Sequence, residues 1–108
     1  WITPRLGITD YEGARDAQLA GCFVINVANE LKGNPYDDVD IPFEGTALQL
    51  RKQVDKFADE VHKKSLTNPD SRVVVHCAMG MERAPLAVVG YLTKYKNMIC
   101  FKFLSFFF

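Results

Sequence analysis

Cys77 and Arg83 are the two residues of this chain whose types and spacing could do chemistry together. They lie in the stretch from Arg72 to Tyr95, RVVVHCAMGMERAPLAVVGYLTKY. Val73-Val74-Val75 reads as a buried strand, and the apolar run after Arg83 reads as a buried helix. Pro85 fits only a first helical turn, so the helix starts near Arg83 or Ala84. A strand that empties into a tight loop at a helix N-terminus is an anion site. The loop N–H groups converge on one point, and the first helical N–H groups lack internal partners. Cys77 opens this loop and Arg83 closes it, so both side chains could face one anion. Helix N-termini and a neighbouring arginine lower a cysteine pKa below the free value of ~8.5, and the thiolate is then a nucleophile at neutral pH. The Arg83 guanidinium is a planar fork that can hold two oxygens of a tetrahedral oxyanion. The bland alternative is an inert buried cysteine and a surface arginine, which leaves the Gly80 spacing and Pro85 unexplained.

His76-Cys77-x5-Arg83, with its strand, Gly80, Pro85 and apolar helix, resembles the active-site signature of cysteine-dependent phosphatases. The whole pattern is most similar to the small dual-specificity branch of the protein tyrosine phosphatases. The resemblance runs from about Trp1 to Lys96, and its specific part is the dozen residues around Cys77. It implies an α/β fold with a central, mainly parallel sheet of about four strands flanked by helices. The phosphate-binding loop would sit at the strand-to-helix junction. The family's further C-terminal helices would be missing here.

The resemblance also implies roles. Cys77 attacks phosphorus and becomes a phosphocysteine. The backbone N–H groups of Ala78, Met79, Gly80, Met81, Glu82 and Arg83, with the Arg83 guanidinium, hold the equatorial oxygens. His76 hydrogen-bonds within the loop base and helps keep Cys77 ionised, or is a plain core histidine. An acid protonates the leaving oxygen. The family places an aspartate on a loop well before the cysteine, and here Gly45 falls near that position. The adjacent Glu44 is the first candidate for the acid, with Asp40 and Asp38 in reserve. Each of these also reads as a solvated loop carboxylate. A second departure is Ala84, where the family has a serine or threonine whose hydroxyl eases breakdown of the intermediate. Arg-Ala-Pro recurs in the glucan phosphatases of the same branch, but Met79 and Glu82 depart from their loop.

Composition sets the outer limits. The 108 residues make one domain, 1–108, with an atypical aromatic tail over 97–108. Lysine plus arginine balances aspartate plus glutamate at 13 each, which argues against nucleic-acid binding by bulk charge. Three scattered cysteines make no disulfide framework and suit a reducing compartment, hence a cytoplasmic location. No apolar run reaches the ~18 residues of a membrane span, and the front does not read as a secretory signal. Starting at Trp1 without methionine, the chain is expected to be a fragment, an engineered piece or a processed product. No cofactor or metal is called for, and the oligomeric state is open.

The remaining elements are read in order. Trp1 to Thr9 is a short edge strand around Pro4. Asp10 caps a short helix that ends at Gly21. Cys22 to Ala28 is a strand buried on both faces, with Cys22 as a small core residue. Asn29 to Pro35 is a loop, and Tyr36 to Pro42 contains a short strand. Thr46 and Gln49 form a capping box for a helix with an apolar stripe at Leu50, Val54, Phe57, Ala58 and Val61. That helix is expected to end near Lys64 or Ser65, placing surface-exposed His62 in its last turn. The Phe-rich end, NMICFKFLSFFF, has three readings: a tail folded over the core, an aberrant terminus, or a contact patch. The first two are favoured.

The function that follows is a phosphoprotein phosphatase acting on phosphotyrosine and phosphoserine or phosphothreonine monoesters. Ala78, Met79, Met81 and Glu82 bring no positive charge to the loop walls, which disfavours a polyphosphorylated lipid. Competing readings are a slow or inactive phosphate-binding pseudophosphatase, a glucan phosphatase, and, more weakly, a rhodanese-like sulfurtransferase.

Overall fold

The apolar runs pair as four strands: β1 (Leu6–Thr9), β2 (Phe23–Asn26), β3 (Val39–Asp40) and β4 (Val73–His76). The structure is a computed structural model that describes residues 1–31, 33–77 and 83–96. All strand pairs are parallel, in the order β1-β4-β2-β3. The helices are α1 (Tyr11–Leu19), α2 (Ala47–Thr67) and α3 (Arg83–Tyr95), with a 3-10 turn at Asn29–Leu31. This is the α/β class expected from the sequence.

β4 lies inside the sheet, with Thr9 beside His76 on one flank and Asn26 beside it on the other. Parallel pairing brings the carboxyl ends of β1, β2 and β4 to one edge. Open sheets of this kind bind ligands just outside that edge.

Successive strand residues face opposite sides. Val73 and Val75 join Leu6 and Ile25 in a cluster with Phe57, Ala58 and Val61 of α2 and Ala84, Ala87, Val88, Tyr91 and Leu92 of α3. Val24 and Val74 are equally buried on the opposite face, which α1 covers with its buried Ala14. Helices on both faces explain why β2 and β4 read as unbroken apolar runs.

The helix starts form as the sequence indicates. The Asp10 carboxylate accepts from the Gly13 N–H at 2.7 Å and opens α1. The Thr46 hydroxyl accepts from Gln49 N–H at 3.3 Å, while Gln49 Oε1 accepts from Thr46 N–H at 2.8 Å, completing the capping box of α2. Pro85 falls in the first turn of α3, where its missing N–H leaves no bond unmade.

Three details differ from the sequence reading. β1 starts only at Leu6, because Pro4 lies in a turn and Thr3 folds back to pair with Leu6. Cys22 precedes β2 and is half-buried, so it is not a core residue. α2 runs on to Thr67, whose hydroxyl donates to the Lys63 carbonyl at 3.1 Å. His62 therefore precedes the last turn, and its ring stacks on Tyr95 of α3 with centroids 4.0 Å apart. The Phe-rich tail lies outside the described residues.

α2 and α3 come close together at Gly90. A Cβ built there would stand 2.2 Å from Val54 Cγ1, inside any tolerated contact. Alanine gains about 1 kcal/mol in helix propensity over glycine, whereas overpacking costs about 1–3 kcal/mol. Gly90→Ala is expected to lower the urea midpoint of unfolding, and Val54→Ala in the same chain is expected to restore part of the loss. An additive double mutant would show that the two sites do not touch.

Candidate active site

Cys77 leaves the carboxyl end of β4 directly after His76. It is 1% exposed and belongs to the apolar cluster between the sheet and α2 and α3. Strand alternation turns His76 the other way, onto the α1 face. There the Tyr11 ring meets it edge-on, with centroids 6.3 Å apart. The two neighbours of the signature thus serve opposite faces of one strand. Ala78, Met79, Gly80, Met81 and Glu82 lie outside the described residues.

Arg83 is the first residue of α3, and its guanidinium donates to the Glu30 carboxylate. Glu30 follows β2, the neighbour of β4, at the carboxyl side of the sheet. The ion pair therefore ties the start of α3 to the turn that follows β2. The guanidinium keeps the exposed Glu30 carboxyl below the ordinary carboxylate range.

His76 has an unforeseen partner. Its Nε2 lies 2.5 Å from Asp37 Oδ1, and the two side chains are 0% and 1% exposed. Burial pushes the Asp37 carboxyl above its usual range, the His76 ring draws it part of the way back, and nearby Asp40 adds to the rise. His76 Nδ1, Asp37 Oδ2 and Asn34 Nδ2 are buried without a hydrogen-bond partner among the described residues.

The two reserve acids hold the backbone. Asp38 Oδ2 accepts from Val24 N–H at 2.8 Å. Asp40 accepts from Asn26 Nδ2 at 3.0 Å and from Gly33 N–H at 2.9 Å. Asn26 is itself fully buried and bonds the Ala28 N–H and carbonyl at 2.8 and 3.0 Å, so it ties the end of β2 to the loop beyond. Glu44 stands differently. Its side chain is exposed, and its backbone N–H donates to Gln53 Oε1 at 2.8 Å.

Sequence reasoning found Cys77, Arg83 and His76 but missed Asp37, Asn26 and Glu30. Asn26 carried a faint signal, a polar residue inside an apolar strand. Asp37 and Glu30 carried none, since each pairs with a residue at least 39 positions away.

A doubly covered parallel sheet, with a cysteine directly after a central strand and an arginine opening the next helix, defines the α/β class of this domain. Over 105 residues the chain is 31% identical to dual specificity protein phosphatase 18 of Rattus norvegicus, matching 90% of this chain and 50% of that protein. It is 33% identical to dual specificity protein phosphatase 13B of Mus musculus over 111 residues, 90% of this chain and 56% of that one. To dual specificity protein phosphatase 26 of Bos taurus it is 31% identical over 94 residues, 87% and 42%. The chain belongs to the dual-specificity protein phosphatase family. It spans about half the length of the curated relatives it matches. No family model matches it. Among the described residues, no helix is long and apolar enough to cross a membrane.

The raised Asp37 carboxyl has a sign that stability measurements can read. A carboxyl whose folded value lies above its unfolded value of ~3.9 disfavours the fold increasingly as pH rises through that interval. Asparagine removes this term. The stability of Asp37→Asn relative to the parent is expected to rise from pH 4 upward, whatever constant loss the altered His76 bond adds. Urea unfolding at several pH values measures this, and a falling difference would contradict it.

Proposed function

We propose that the chain is a single catalytic domain that hydrolyses phosphotyrosine and phosphoserine or phosphothreonine monoesters on proteins through a phosphocysteine. The observation that carries this reading is the delivery of Cys77 and Arg83 to the same carboxyl edge, from a central strand and the helix that follows. The names of the relatives support the substrate class. The Cys77 thiolate attacks phosphorus, an S–P bond forms, and the ester P–O bond breaks. Glu44 gives its proton to the leaving oxygen. Water then attacks phosphorus, the S–P bond breaks, and Glu44 takes a proton from the water. Inorganic phosphate leaves and the thiolate returns. The loop N–H groups and Arg83 stabilise the charge on the equatorial oxygens in both steps. Glu44 is preferred as the acid because Asp38 and Asp40 are committed to backbone and Asn26 bonds and Asp37 is buried against His76.

A second reading is a phosphate-binding domain with little turnover. Ala84, fully buried and without a hydroxyl, favours it, because nothing at that position can assist breakdown of the phosphocysteine.

An aryl phosphate separates the two. The proposal expects steady product release from the parent chain and none from Cys77→Ser. A stoichiometric burst that stalls would mean a trapped phosphocysteine, and no release with retained phosphopeptide binding would favour the second reading. With a poorly leaving alkyl phosphate, Glu44→Gln is expected to lose about a hundredfold or more in kcat, the usual contribution of an acid being ~10²–10⁴. An unchanged rate would remove Glu44 from the mechanism.

Glu30 bears on the same pocket, because it orients the group that holds phosphate. Glu30→Gln is expected to weaken inhibition by inorganic phosphate by no more than about fivefold, since an exposed pair contributes little. The effect should vanish as pH falls through the depressed carboxyl value of Glu30, where the parent pair is also lost. Tighter phosphate inhibition in the variant would instead mark Glu30 as a competitor for Arg83.

A further inference from the structure

The proposed reaction uses Cys77 and Arg83 but gives no work to the most deeply buried ionisable pair among the described residues, His76 and Asp37. Both side chains are closed to solvent, 2.5 Å apart, and come from segments 39 positions distant in sequence. Removing two such groups from water is costly and is repaid only by close mutual contact. The surroundings single out this contact. On the α1 side Tyr11 meets the His76 ring, and Tyr36 packs edge-on to Tyr11 with centroids 6.0 Å apart. On the sheet, the flanking Thr9 and Asn26 are uncharged. The other ionisable groups on the pair are Asp40, which acts on Asp37, and Cys77, the next residue along the chain.

The segment that carries Asp37 is itself anchored. The Asp37 N–H donates to the Asn34 carbonyl at 3.2 Å, and the Asp38 N–H donates to the Val24 carbonyl at 2.9 Å. The carboxylate is thus presented to His76 from a fixed backbone. An imidazole gripped at Nε2 cannot rotate, and the identity of its protonated nitrogen follows from that grip. The backbone of His76 is pinned as well, since its carbonyl accepts from Val27 N–H at 3.0 Å. The last residue before Cys77 is held by side chain and main chain together.

We infer that Asp37 is a positioning residue for the Cys77 nucleophile: its carboxylate accepts from His76 Nε2–H, locks the ring, and thereby fixes the strand end that aims Cys77 at its anion site. This rests on Cys77 being the nucleophile of the proposed function. Asp37 touches neither substrate nor phosphorus. It acts through His76.

Direct charge and positioning make opposite predictions. Deleting a buried negative charge close to a thiol would by Coulomb's law make the thiolate easier to form. Losing the lock on His76 would make it harder, because the N–H groups that stabilise the sulfur would no longer be held in place. The test uses the chain with Cys22→Ser and Cys100→Ser, so that Cys77 is the sole thiol, and follows its alkylation by iodoacetamide against pH. The inference expects Asp37→Ala, which removes both the charge and the acceptor and is checked for folding by circular dichroism, to move the alkylation midpoint up by about one pH unit, a tenfold slower reaction below the midpoint. A midpoint that stays or moves down overturns the inference. If the variant does not fold, nitrogen-15 spectra of the parent chain decide, since only His62 and His76 contribute ring signals. A proton on Nε2 of His76 supports the lock, and an Nε2 without a proton overturns it. Neither measurement needs a substrate. Failure to hydrolyse an aryl phosphate would therefore sink the catalytic reading without touching this result, and an unmoved midpoint in an active enzyme would sink only the role of Asp37.

Discussion

Everything in the site depends on β4 being hydrogen-bonded on both sides by parallel neighbours. β1 and β2 grip it over the same four residues, Val73 to His76. A strand held along both edges cannot slip in register without turning its apolar side chains to the wrong face. The residue after it therefore emerges at a set height and in a set direction. Cys77 inherits its place from this pairing. The helix that follows is fixed independently, by Pro85 in its first turn and by burial of Ala84, Ala87, Val88, Tyr91 and Leu92. Fixed flanking elements of this kind are what the reaction proposed for Cys77 and Arg83 would call for.

The carboxylates between Asp37 and Glu44 show how one short segment divides several duties. The sequence DDVD places three acidic residues within four positions, and by composition they look interchangeable. In the fold, Asp38 satisfies the Val24 N–H, Asp40 joins Asn26 to the Gly33 turn, and Asp37 closes over His76. Glu44, beyond Phe43, is exposed, and its contact is made by the backbone N–H, to Gln53, rather than by its carboxylate. The dividing force is the demand of buried polar groups for partners. Asn26 lies in the sheet interior and needs acceptors, and the first N–H of β2 beside β3 needs one too.

This division marks the limit of what the sequence discloses. Strand and helix positions were legible because they are local: the valine run, the Thr46–Gln49 box and the placement of Pro85 each lie within a few residues of the structure they specify. The burial faces followed from the same patterns. Cys77 and Arg83 were legible because their loop is contiguous. The partners of those residues were not. Glu30 reaches Arg83 across 53 positions, and Asp37 reaches His76 across 39. No periodicity encodes such a pairing, since it arises only when the sheet order places β2 between β4 and β3. α2 outran its expected stop near Lys64 or Ser65 and ends at Thr67, whose hydroxyl bonds back to the Lys63 carbonyl.

The opposed orientation of residues 76 and 77 has a consequence for how this domain can diversify. Neighbours in the chain belong to separate neighbourhoods, one roofed by α1 and Asp37, the other by α2 and α3. Changes that retune the histidine's surroundings can accumulate on one side without disturbing the packing that shelters the sulfur. The reverse holds as well. Two adjacent letters of one short motif can thus be shaped by different sets of residues, drawn from opposite sides of the sheet.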